Sequence, residues 1–293
     1  MPEPAALRAE WEDLLSRRPS FRPTLAFYEP IIDAWERFDS TRMSPLGWSA
    51  EECRDRWKRG VAILAEAPPA FDRESLGALL GPALEALAGL GDEAAEAMER
   101  LAQAWEDGRL QPEALLTGIG EKMRRSLAEE LALSPDFLAF LAYAALRPPL
   151  EAYLSRARQA FADQYWDSGH CPFCGVLPAW GDIREDGKRW LCCTLCGGEW
   201  TAGRLRCPFC DSRNAKALTR LSPEGAEEGY LIEACDLCRG YLKGVDRRVR
   251  WNVGSPLVED WGNPHLDLIA RRRGYWRPSP SLVQLTQPEE RGE

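Results

Sequence analysis

Four Cys-x-x-Cys pairs decide the fold of the second half of this chain: CPFCG (171–175), CTLCG (193–197), CPFCD (207–211) and CDLCR (235–239). Two cysteines separated by two residues can bind one side of a tetrahedral metal ion, and a second pair completes the coordination. Pro172 and Pro208 fix the backbone of two of these turns, and Gly175 supplies a permissive conformation next to a sulfur. The sequence therefore predicts two metal sites of four thiolates each.

The eight predicted ligands form two sets when consecutive pairs are combined. They are Cys171, Cys174, Cys193 and Cys196 for the first site, and Cys207, Cys210, Cys235 and Cys238 for the second. Sequential pairing lets each β-hairpin close its own site, whereas an interleaved pairing would make each connection cross the other site. All-sulfur coordination suits both zinc and iron, and the spacing does not separate the two metals. Four protein ligands close each site and leave no position for a substrate.

The composition of the 293-residue chain, 45% hydrophobic, is that of a soluble globular protein. No apolar run approaches the roughly 20 residues that span a bilayer, and we expect neither membrane insertion nor a secretory signal. We expect a cytoplasmic protein, in which paired cysteines bind metal more often than they form disulfides. Residues 1–165 contain 19 Lys and Arg against 28 Asp and Glu, whereas residues 166–293 contain 18 of each.

Hydrophobic periodicity divides the chain near residue 166. Before it, apolar residues recur at spacings of three and four, which predicts seven to nine helices. After it, each pair of Cys-x-x-Cys turns brackets a β-hairpin, so the unit occurs twice. We predict an α+β fold, a multi-helix N-terminal domain followed by two tandem β modules of the rubredoxin or zinc-ribbon type and a short C-terminal helix. The expected divisions are 1–165 for the helical domain, 166–203 for the first ribbon, and 204–293 for the second ribbon with the C-terminal helix and a loose tail from Gln287.

Turn and breaker residues place the individual elements. A buried helix that begins after Ser134 is expected to end at Pro148 and Pro149, because proline lacks the N–H that a helix interior needs. The expected β segments are 176–183, 189–193, 215–221, 230–234 and 241–258. The short C-terminal helix is expected at residues 264–273.

Two cysteines and a histidine lie outside the predicted ligand sets. Cys192 is expected to be buried on the opposite face of a strand, because the spacing to Cys196 favours Cys193 as the ligand. His170 is expected to make a local hydrogen bond, and Cys53 to lie in the helical core. The chain has two histidines and contains no nucleophile–base arrangement, phosphate loop or dinucleotide motif. We therefore predict that it is not an enzyme.

The residues around the cysteine pairs resemble those of a known family. Four segments follow the helical region in order: WDSGHCPFCGVLP (166–178), LCCTLCGGEW (191–200), RCPFC (206–210) and CDLCRGYLK (235–243). Together with LDLI (266–269) and GY (274–275), they resemble the formate dehydrogenase accessory proteins of the FdhE type. The resemblance covers residues 165–280, while the N-terminal region matches in length and helical character.

This resemblance implies a cytoplasmic maturation factor with chaperone-like properties. Proteins of this family bind the catalytic subunit of respiratory formate dehydrogenase, a molybdenum or tungsten enzyme that can contain selenocysteine and is exported through a twin-arginine signal. They help it become active before export. Their rubredoxin-like sites can hold iron, so the eight cysteines would bind two ions of iron or zinc. One departure is an acidic stretch before the C-terminal helix, of which VEDWGNP (258–264) keeps Asp260 but not the rest.

Three functional hypotheses follow. In the first, ribbons and helices frame a groove for the client, with Phe173, Phe209, Leu237 and Tyr241 as contact residues, although the aromatic residues among them could equally pack the ribbons together. In the second, iron in a four-thiolate site passes one electron to a client cofactor. In the third, arginines of the second half bind nucleic acid, which the acidic N-terminal half disfavours. These arginines are Arg204, Arg206, Arg247, Arg248, Arg250, Arg271, Arg272 and Arg273.

Overall fold

A computed structural model describes residues 4–116, 121–161, 164, 166–223 and 227–286. The predicted loose tail from Gln287 lies outside these residues. No helix in the described ranges combines the length and the apolar character needed to cross a bilayer. A helical first half, a six-stranded sheet and C-terminal helices make up the fold, which confirms the predicted α+β class.

Within the described part of the first half, ten α-helices follow one another, against the seven to nine predicted. They are α1 (Pro4–Arg17), α2 (Arg22–Leu25), α3 (Glu29–Glu36), α4 (Ala50–Lys58), α5 (Ile63–Glu66), α6 (Arg73–Ala88), α7 (Asp92–Glu106), α8 (Glu121–Glu130), α9 (Pro135–Tyr153) and α10 (Ser155–Ala160). Local sequence explains α6 well: the Asp72 carboxylate accepts from the N–H of Ser75 at its start, and its buried residues recur at helical spacing. Single-turn helices such as α2 and α5 account for the larger number.

The central helix α9 is longer than its sequence indicates. Pro148 and Pro149 predict its end, but the helix continues to Tyr153, so that prediction is wrong. Pro148 has no N–H to donate to the carbonyl of Ala144, four residues earlier. The indole Nε1 of buried Trp35 donates to that carbonyl instead, at 2.6 Å. A side chain from α3 thus satisfies the acceptor that proline leaves free.

Six short strands form one sheet. They are β1 (Trp180–Ile183), β2 (Arg189–Cys192), β3 (Glu199–Ala202), β4 (Leu218–Leu221), β5 (Tyr230–Cys235) and β6 (Tyr241–Asp246). Their order across the sheet is β3-β2-β1-β6-β5-β4. Neighbouring strands are antiparallel except β1 and β6, which are parallel. The predicted hairpins are the pairs β1–β2 and β4–β5, and both are confirmed.

The two predicted ribbons, β1–β3 and β4–β6, join at the parallel pair. Trp180 lies opposite Lys243 there, and Gly181 lies opposite Gly244. A Cβ on Gly244 would lie 2.2 Å from the carbonyl oxygen of Gly181, so glycine is needed for the two strands to approach. The sheet is therefore continuous across residue 204, where the sequence suggests a division.

As far as residue 286, three helices follow the sheet: α11 (Pro256–Gly262), α12 (Pro264–Arg271) and α13 (Leu282–Thr286). The helix predicted for residues 264–273 corresponds to α12. The β segment predicted to reach residue 258 ends at Asp246, so its second part is wrong. Pro256 opens α11 at a first-turn position, where its missing N–H costs nothing, and the helix then buries its apolar side chains.

Two apolar clusters show how the ribbons are packed. The larger cluster is continuous from the helical half into the first ribbon, and it includes Trp57, Phe161, Phe173 and Trp200. The smaller cluster lies against α12 and includes Tyr230 and Tyr241 of the second ribbon and Trp180 of the first. The first ribbon is thus embedded in the helices, whereas the second packs mainly on the C-terminal segment.

A buried network of charged groups joins the sheet to the C-terminal helices. Lys243 of β6 donates to Asp267 of α12 at 2.7 Å and lies 3.1 Å from the Asp260 carboxylate of α11. Arg277 lies 3.0 Å from each of these two carboxylates. Two cations thus face two anions, and none of the four residues is more than 4% exposed. Asp260, the residue kept from the family's acidic stretch, is an internal structural group here.

Candidate metal centres

All four Cys-x-x-Cys pairs adopt the same tight turn. The N–H of Cys171 donates to the carbonyl of Val176, five residues later, and the carbonyl of Cys171 accepts from the N–H of Gly175. The other three turns repeat both bonds at 2.8 to 3.1 Å. The residue four positions after the first cysteine has a positive φ in every turn: 81° at Gly175, 71° at Gly197, 63° at Asp211 and 60° at Arg239. Glycine adopts this left-handed conformation readily, whereas Asp211 and Arg239 adopt it at a cost.

The first site brings four of the predicted sulfurs together. Sγ of Cys171 lies 3.6 Å from Sγ of Cys196, and Sγ of Cys174 lies 3.5 Å from Sγ of Cys193. All four sulfurs lie within 4.8 Å of one another. Sulfurs bound about 2.3 Å from one tetrahedral zinc ion would lie about 3.8 Å apart, so the arrangement fits such an ion. None of the four residues is more than 5% exposed.

The second site has the same geometry in a more open position. Sγ of Cys207 lies 3.7 Å from Sγ of Cys238, and Sγ of Cys210 lies 3.8 Å from Sγ of Cys235, with all four within 4.8 Å. Cys207 and Cys235 are buried, but Cys210 is exposed and Cys238 is half-buried. The cysteines are therefore grouped by sequential pairing, and both groups could hold a metal ion.

The thiols within each site differ in acidity. Burial raises the pKa of the Cys171 and Cys174 thiols, because a thiolate loses its hydration there. Burial acts in the same direction on Cys193, but hydrogen bonds from Cys171 and Cys174 outweigh it and lower the pKa of Cys193. In the second site, burial likewise raises the pKa of Cys207, while backbone N–H groups outweigh burial and lower the pKa of Cys235. A bound cation would favour the thiolate form of all four ligands in either site.

Helices of the first half hold the first turn of the first site. The indole Nε1 of Trp57 in α4 donates to the carbonyl of Pro172 at 3.0 Å. The backbone N–H groups of Ile63 and Leu64, at the start of α5, donate to the carbonyls of Pro172 and Phe173 at 3.1 and 2.9 Å. The turn that carries Cys171 and Cys174 is therefore bonded directly to the helical half through its own backbone.

Two arginines hold the second turn of this site. Arg147 of α9 donates to the carbonyl of Thr194 at 2.7 Å, and Arg158 of α10 donates to the carbonyl of Cys196 at 3.0 Å. Glu151 lies between them, 2.7 Å from Arg147 and 3.8 Å from Arg158. The sequence shows Arg147 and Glu151 as an i,i+4 ion pair, but nothing in it indicates their contact with a turn 47 residues away. The sequence alone therefore does not predict that Arg147, Glu151 and Arg158 position this turn.

The second site is supported by the segment that follows α12. Trp276 donates from Nε1 to the carbonyl of Cys238 at 2.7 Å, and from its backbone N–H to the carbonyl of Arg239 at 2.8 Å. The guanidinium of Arg239 donates in turn to the carbonyls of Arg273 and Gly274, at 2.6 and 3.2 Å. This support involves one short segment near the protein surface, and Trp276 itself is exposed.

The four predicted contact residues lie in different environments. Phe173 and Tyr241 are each only 1% exposed, whereas Leu237 is 62% exposed and Phe209 is half-buried. The ring of Phe173 packs edge-on against Trp57, so this residue joins its ribbon to the helices rather than to the other ribbon. Among the four, Leu237 and Phe209 therefore remain accessible for a partner.

Two further cysteines, Cys192 and Cys53, and His170 lie outside the sulfur clusters. The N–H of His170 donates to Ser168 Oγ at 3.1 Å, and Nδ1 of the ring lies 3.5 Å from the same oxygen. Cys192 is buried in the smaller apolar cluster, and Cys53 is buried in the helical core. All three occupy the environments that the sequence predicts.

A cavity of about 990 Å³ lies between part of the helical half and the first ribbon. Phe38 and Glu151 line it on the helical side, and Trp190 and Thr201 of β2 and β3 line it on the sheet side. It reaches the second turn of the first site at Gly197, beside the two arginines. The cavity therefore combines apolar and charged walls next to one of the candidate metal centres.

Three of the arginines that could have faced a phosphate backbone are paired with carboxylates. Arg206 pairs with Asp167 and Asp211, and Arg247 lies 2.7 Å from the buried Asp182. Arg248 pairs with Asp246 at 2.7 Å in the same way. Paired arginines are a weak basis for a surface that neutralises phosphates.

Comparison with known proteins identifies the relatives of this chain. Over 201 residues it is 32% identical to the FdhE homologue of Stutzerimonas stutzeri, a match that covers 62% of this chain and 65% of that protein. The resemblance to the FdhE family is thereby confirmed. FdhE homologues of Pseudomonas aeruginosa (36% identity over 120 residues) and Aquifex aeolicus (28% over 151 residues) also match, over 39% and 50% of this chain. No family model matches the chain.

The matched segments span 65%, 38% and 52% of these three FdhE homologues, which is less than two thirds of each. The fold match is more extensive. The crystal structure of the FdhE protein from Pseudomonas aeruginosa superposes with a TM-score of 0.63, covering 95% of both chains at 24% sequence identity. The FdhE fold therefore includes the helical half, for which the sequence offers only length and helical character.

Proposed function

We propose that this protein is a cytoplasmic, non-catalytic maturation factor that binds the catalytic subunit of a respiratory formate dehydrogenase and assists its activation before export. The similarity to FdhE homologues carries the proposal. The closed geometry of the two four-cysteine groups supports it, because neither leaves a coordination position for a substrate.

The eight cysteines would hold two ions, iron or zinc, whose first role is structural. The strands of the ribbons are only four to six residues long, and metal sites in small domains can contribute on the order of 10 kcal/mol to folding. Each ion would fix two turns at one end of a hairpin and so give the ribbon a rigid surface. Replacement of a ligand, as in Cys174→Ala, is therefore expected to yield insoluble protein.

Two surfaces could receive the client. The cavity between the helices and the first ribbon has apolar and charged walls, and its volume of about 990 Å³ suits several side chains of a protein segment. The second surface lies at the open metal site, where Leu237 is exposed and the rings of Phe209 and Trp276 are 6.4 Å apart. Exposed apolar groups of this kind are typical of protein contacts.

The proposal is tested by capture of a formate dehydrogenase catalytic subunit on the immobilised full chain. The subunit is expected to be retained, and the catalytic subunit of an unrelated molybdoenzyme is expected to pass through. Leu237→Glu should weaken capture at the open site, whereas Val249→Glu, at another exposed apolar position, serves as the matched control. Equal retention of both enzymes would contradict the proposal.

Electron transfer is a second candidate function, favoured by the exposure of Cys210 in the second site. If iron occupies that site, its exposure lets a partner approach closely, and solvent exposure and hydrogen bonds to the sulfurs influence its potential. Protein purified without oxygen would then show visible thiolate-to-iron absorption that bleaches on reduction. A colourless protein containing only zinc would exclude this function.

A further inference from the structure

The two four-cysteine sites share one turn geometry but differ in access. In the first site no cysteine is more than 5% exposed, whereas Cys210 of the second site is exposed and Cys238 is half-buried. An incoming ligand can displace a thiolate only where it has a path to the ion. Access alone therefore predicts that the second site exchanges its ion faster.

The arginines on α9 and α10 hold the second turn of the first site in place, and we call this site locked. Charged donors make stronger hydrogen bonds than neutral ones, and Arg147 and Arg158 each donate to a carbonyl of the second turn. They also cover that turn, because a Cβ on Gly197 would lie 2.6 Å from Nη1 of Arg158 and 3.1 Å from Nη2 of Arg147. The guanidinium groups thus stand beside the turn where the large cavity approaches the site. Opening this turn requires that both bonds break first.

Backbone conformation also makes the second site easier to open than the first. The left-handed position is glycine in both turns of the first site, but it is Asp211 and Arg239 in the second site, at φ of 63° and 60°. A residue with a side chain adopts this conformation at a cost, which opening of the turn would release. Backbone strain and exposure therefore both favour opening of the second site, against the two bonds that Trp276 donates to the carbonyls of Cys238 and Arg239.

We propose that the first site holds its ion locked and that the second site exchanges its ion with dissolved metal and with competing ligands. Arg147 and Arg158 are the positioning residues of the locked site. The inference rests on the proposed occupation of both sites by metal. It makes the second ribbon the point at which this protein gains, loses or transfers an ion.

The test uses the 293-residue chain loaded with two zinc ions. An excess of a colorimetric chelator is added, and zinc release is followed together with alkylation of the freed thiols, located by peptide mass spectrometry. Two phases of one ion each are expected, with the fast phase freeing cysteines 207, 210, 235 and 238. Release of both ions at one rate, or a fast phase that frees the first four cysteines, would overturn the proposal. No substitution is needed for this measurement, so it does not depend on a variant that folds.

Variants then test the lock. Arg147→Gln and Arg158→Gln are each expected to speed the slow phase by about tenfold or more, the loss of one hydrogen bond from a charged donor, and to leave the fast phase unchanged. Arg156→Gln, on the same helix as Arg158 but exposed, is the matched control and should change neither phase. A slow phase that is the same in all three variants would refute the role of the arginines.

The same experiment separates this inference from the proposed metal centres. A chain that binds no zinc at either site refutes the centres themselves and the inference with them. A chain that binds two ions and releases them identically refutes the inference alone.

Discussion

Gly197 shows how much depends on one missing methyl group. Its φ is 71°, and a Cβ there would lie 2.3 Å from Oε1 of Glu151, within the ion-pair group that holds the turn. Gly197→Ala must therefore displace that group and also strain the backbone. We expect it to lower the free energy of unfolding by about 2–4 kcal/mol and to weaken zinc binding at the first site, so that less than two ions per chain are retained. Denaturant unfolding and elemental analysis measure the two effects.

Gly175→Ala is the matched control for this prediction. Its φ of 81° imposes the same backbone strain, but the nearest atom to an added Cβ is the methyl group of Ala62 at 3.6 Å, an ordinary contact. In this variant the free energy of unfolding should fall by about 1–2 kcal/mol, and both ions should stay bound. If the two variants behave alike, the group around Glu151 contributes nothing to the site.

Residue identity made part of the site predictable. The eight cysteines and their pairing could be inferred because two-residue spacing is a local property that directly sets which sulfurs can share an ion. Arg147 and Arg158 could not, since their partners are backbone carbonyls, which every residue has and which no pattern marks. The burial of Phe173 was likewise hidden, because Phe209 occupies the same place in an almost identical pentapeptide and is half-buried.

Among the elements, the parallel pair of β1 and β6 has little room for a side chain. Gly244→Ala would bring a Cβ within 2.2 Å of the carbonyl oxygen of Gly181, and backbone on both strands would have to move. We expect a loss of about 2–4 kcal/mol in the free energy of unfolding. Gly203→Ala is the control, because the nearest atom to its Cβ would be 3.8 Å away, and its effect should stay within about 0.5 kcal/mol. If Gly244→Ala lowers the free energy of unfolding no more than Gly203→Ala does, the close approach of β1 and β6 is not needed for stability.

Elements formed by neighbouring residues were predicted well, and those formed at long range were not. The hairpins β1–β2 and β4–β5 follow from alternating residues around a turn, and α12 follows from its periodicity and starting proline. The pairing of β1 with β6 joins strands that are far apart in sequence. The continuation of α9 past Pro148 depends on Trp35, more than 100 residues away. Tertiary contacts of this kind override the local signal.

At the scale of the whole molecule, the four charged residues between the sheet and the C-terminal helices depend on one another for charge balance. Lys243→Met would leave the Asp260 and Asp267 carboxylates facing Arg277 alone, with one uncompensated buried charge. We expect this change to cost about 3–5 kcal/mol in urea unfolding. Lys216→Met, at an exposed position, should change stability by no more than about 0.5 kcal/mol. The double variant Lys243→Met with Asp267→Asn restores charge balance and should recover part of the loss; no recovery would contradict a role for charge balance.

The same network sets a pH dependence. Burial opposes ionisation of Asp267, but Lys243 and Arg277 outweigh it and hold the pKa of this carboxyl below its ordinary value. A lowered folded-state pKa stabilises the protein above the unfolded value of about 3.9, and this stabilisation is lost as the pH falls through the folded value. The advantage of the natural protein over Lys243→Met should therefore be constant near neutral pH and shrink below about pH 4. An advantage that grows on acidification would show that Asp267 is not the group responsible.

The strand order has a consequence for symmetry. Each ribbon is a three-stranded meander, and the order β3-β2-β1 followed by β6-β5-β4 relates the two copies by translation across the sheet rather than by a two-fold axis. Translation preserves strand direction, so β1 and β6 have to be parallel, as they are. Such a repeat does not close on itself. The free edge of β3 is the counterpart of the β6 edge already used, and that of β4 is the counterpart of β1, so the two edges have the strand directions that pairing with another copy would need. Neither β3 nor β4 contains the glycines that let β1 and β6 approach. Both edge strands are only four residues long and carry a charged residue, Glu199 in β3 and Arg220 in β4, which are features that disfavour edge-to-edge pairing between copies.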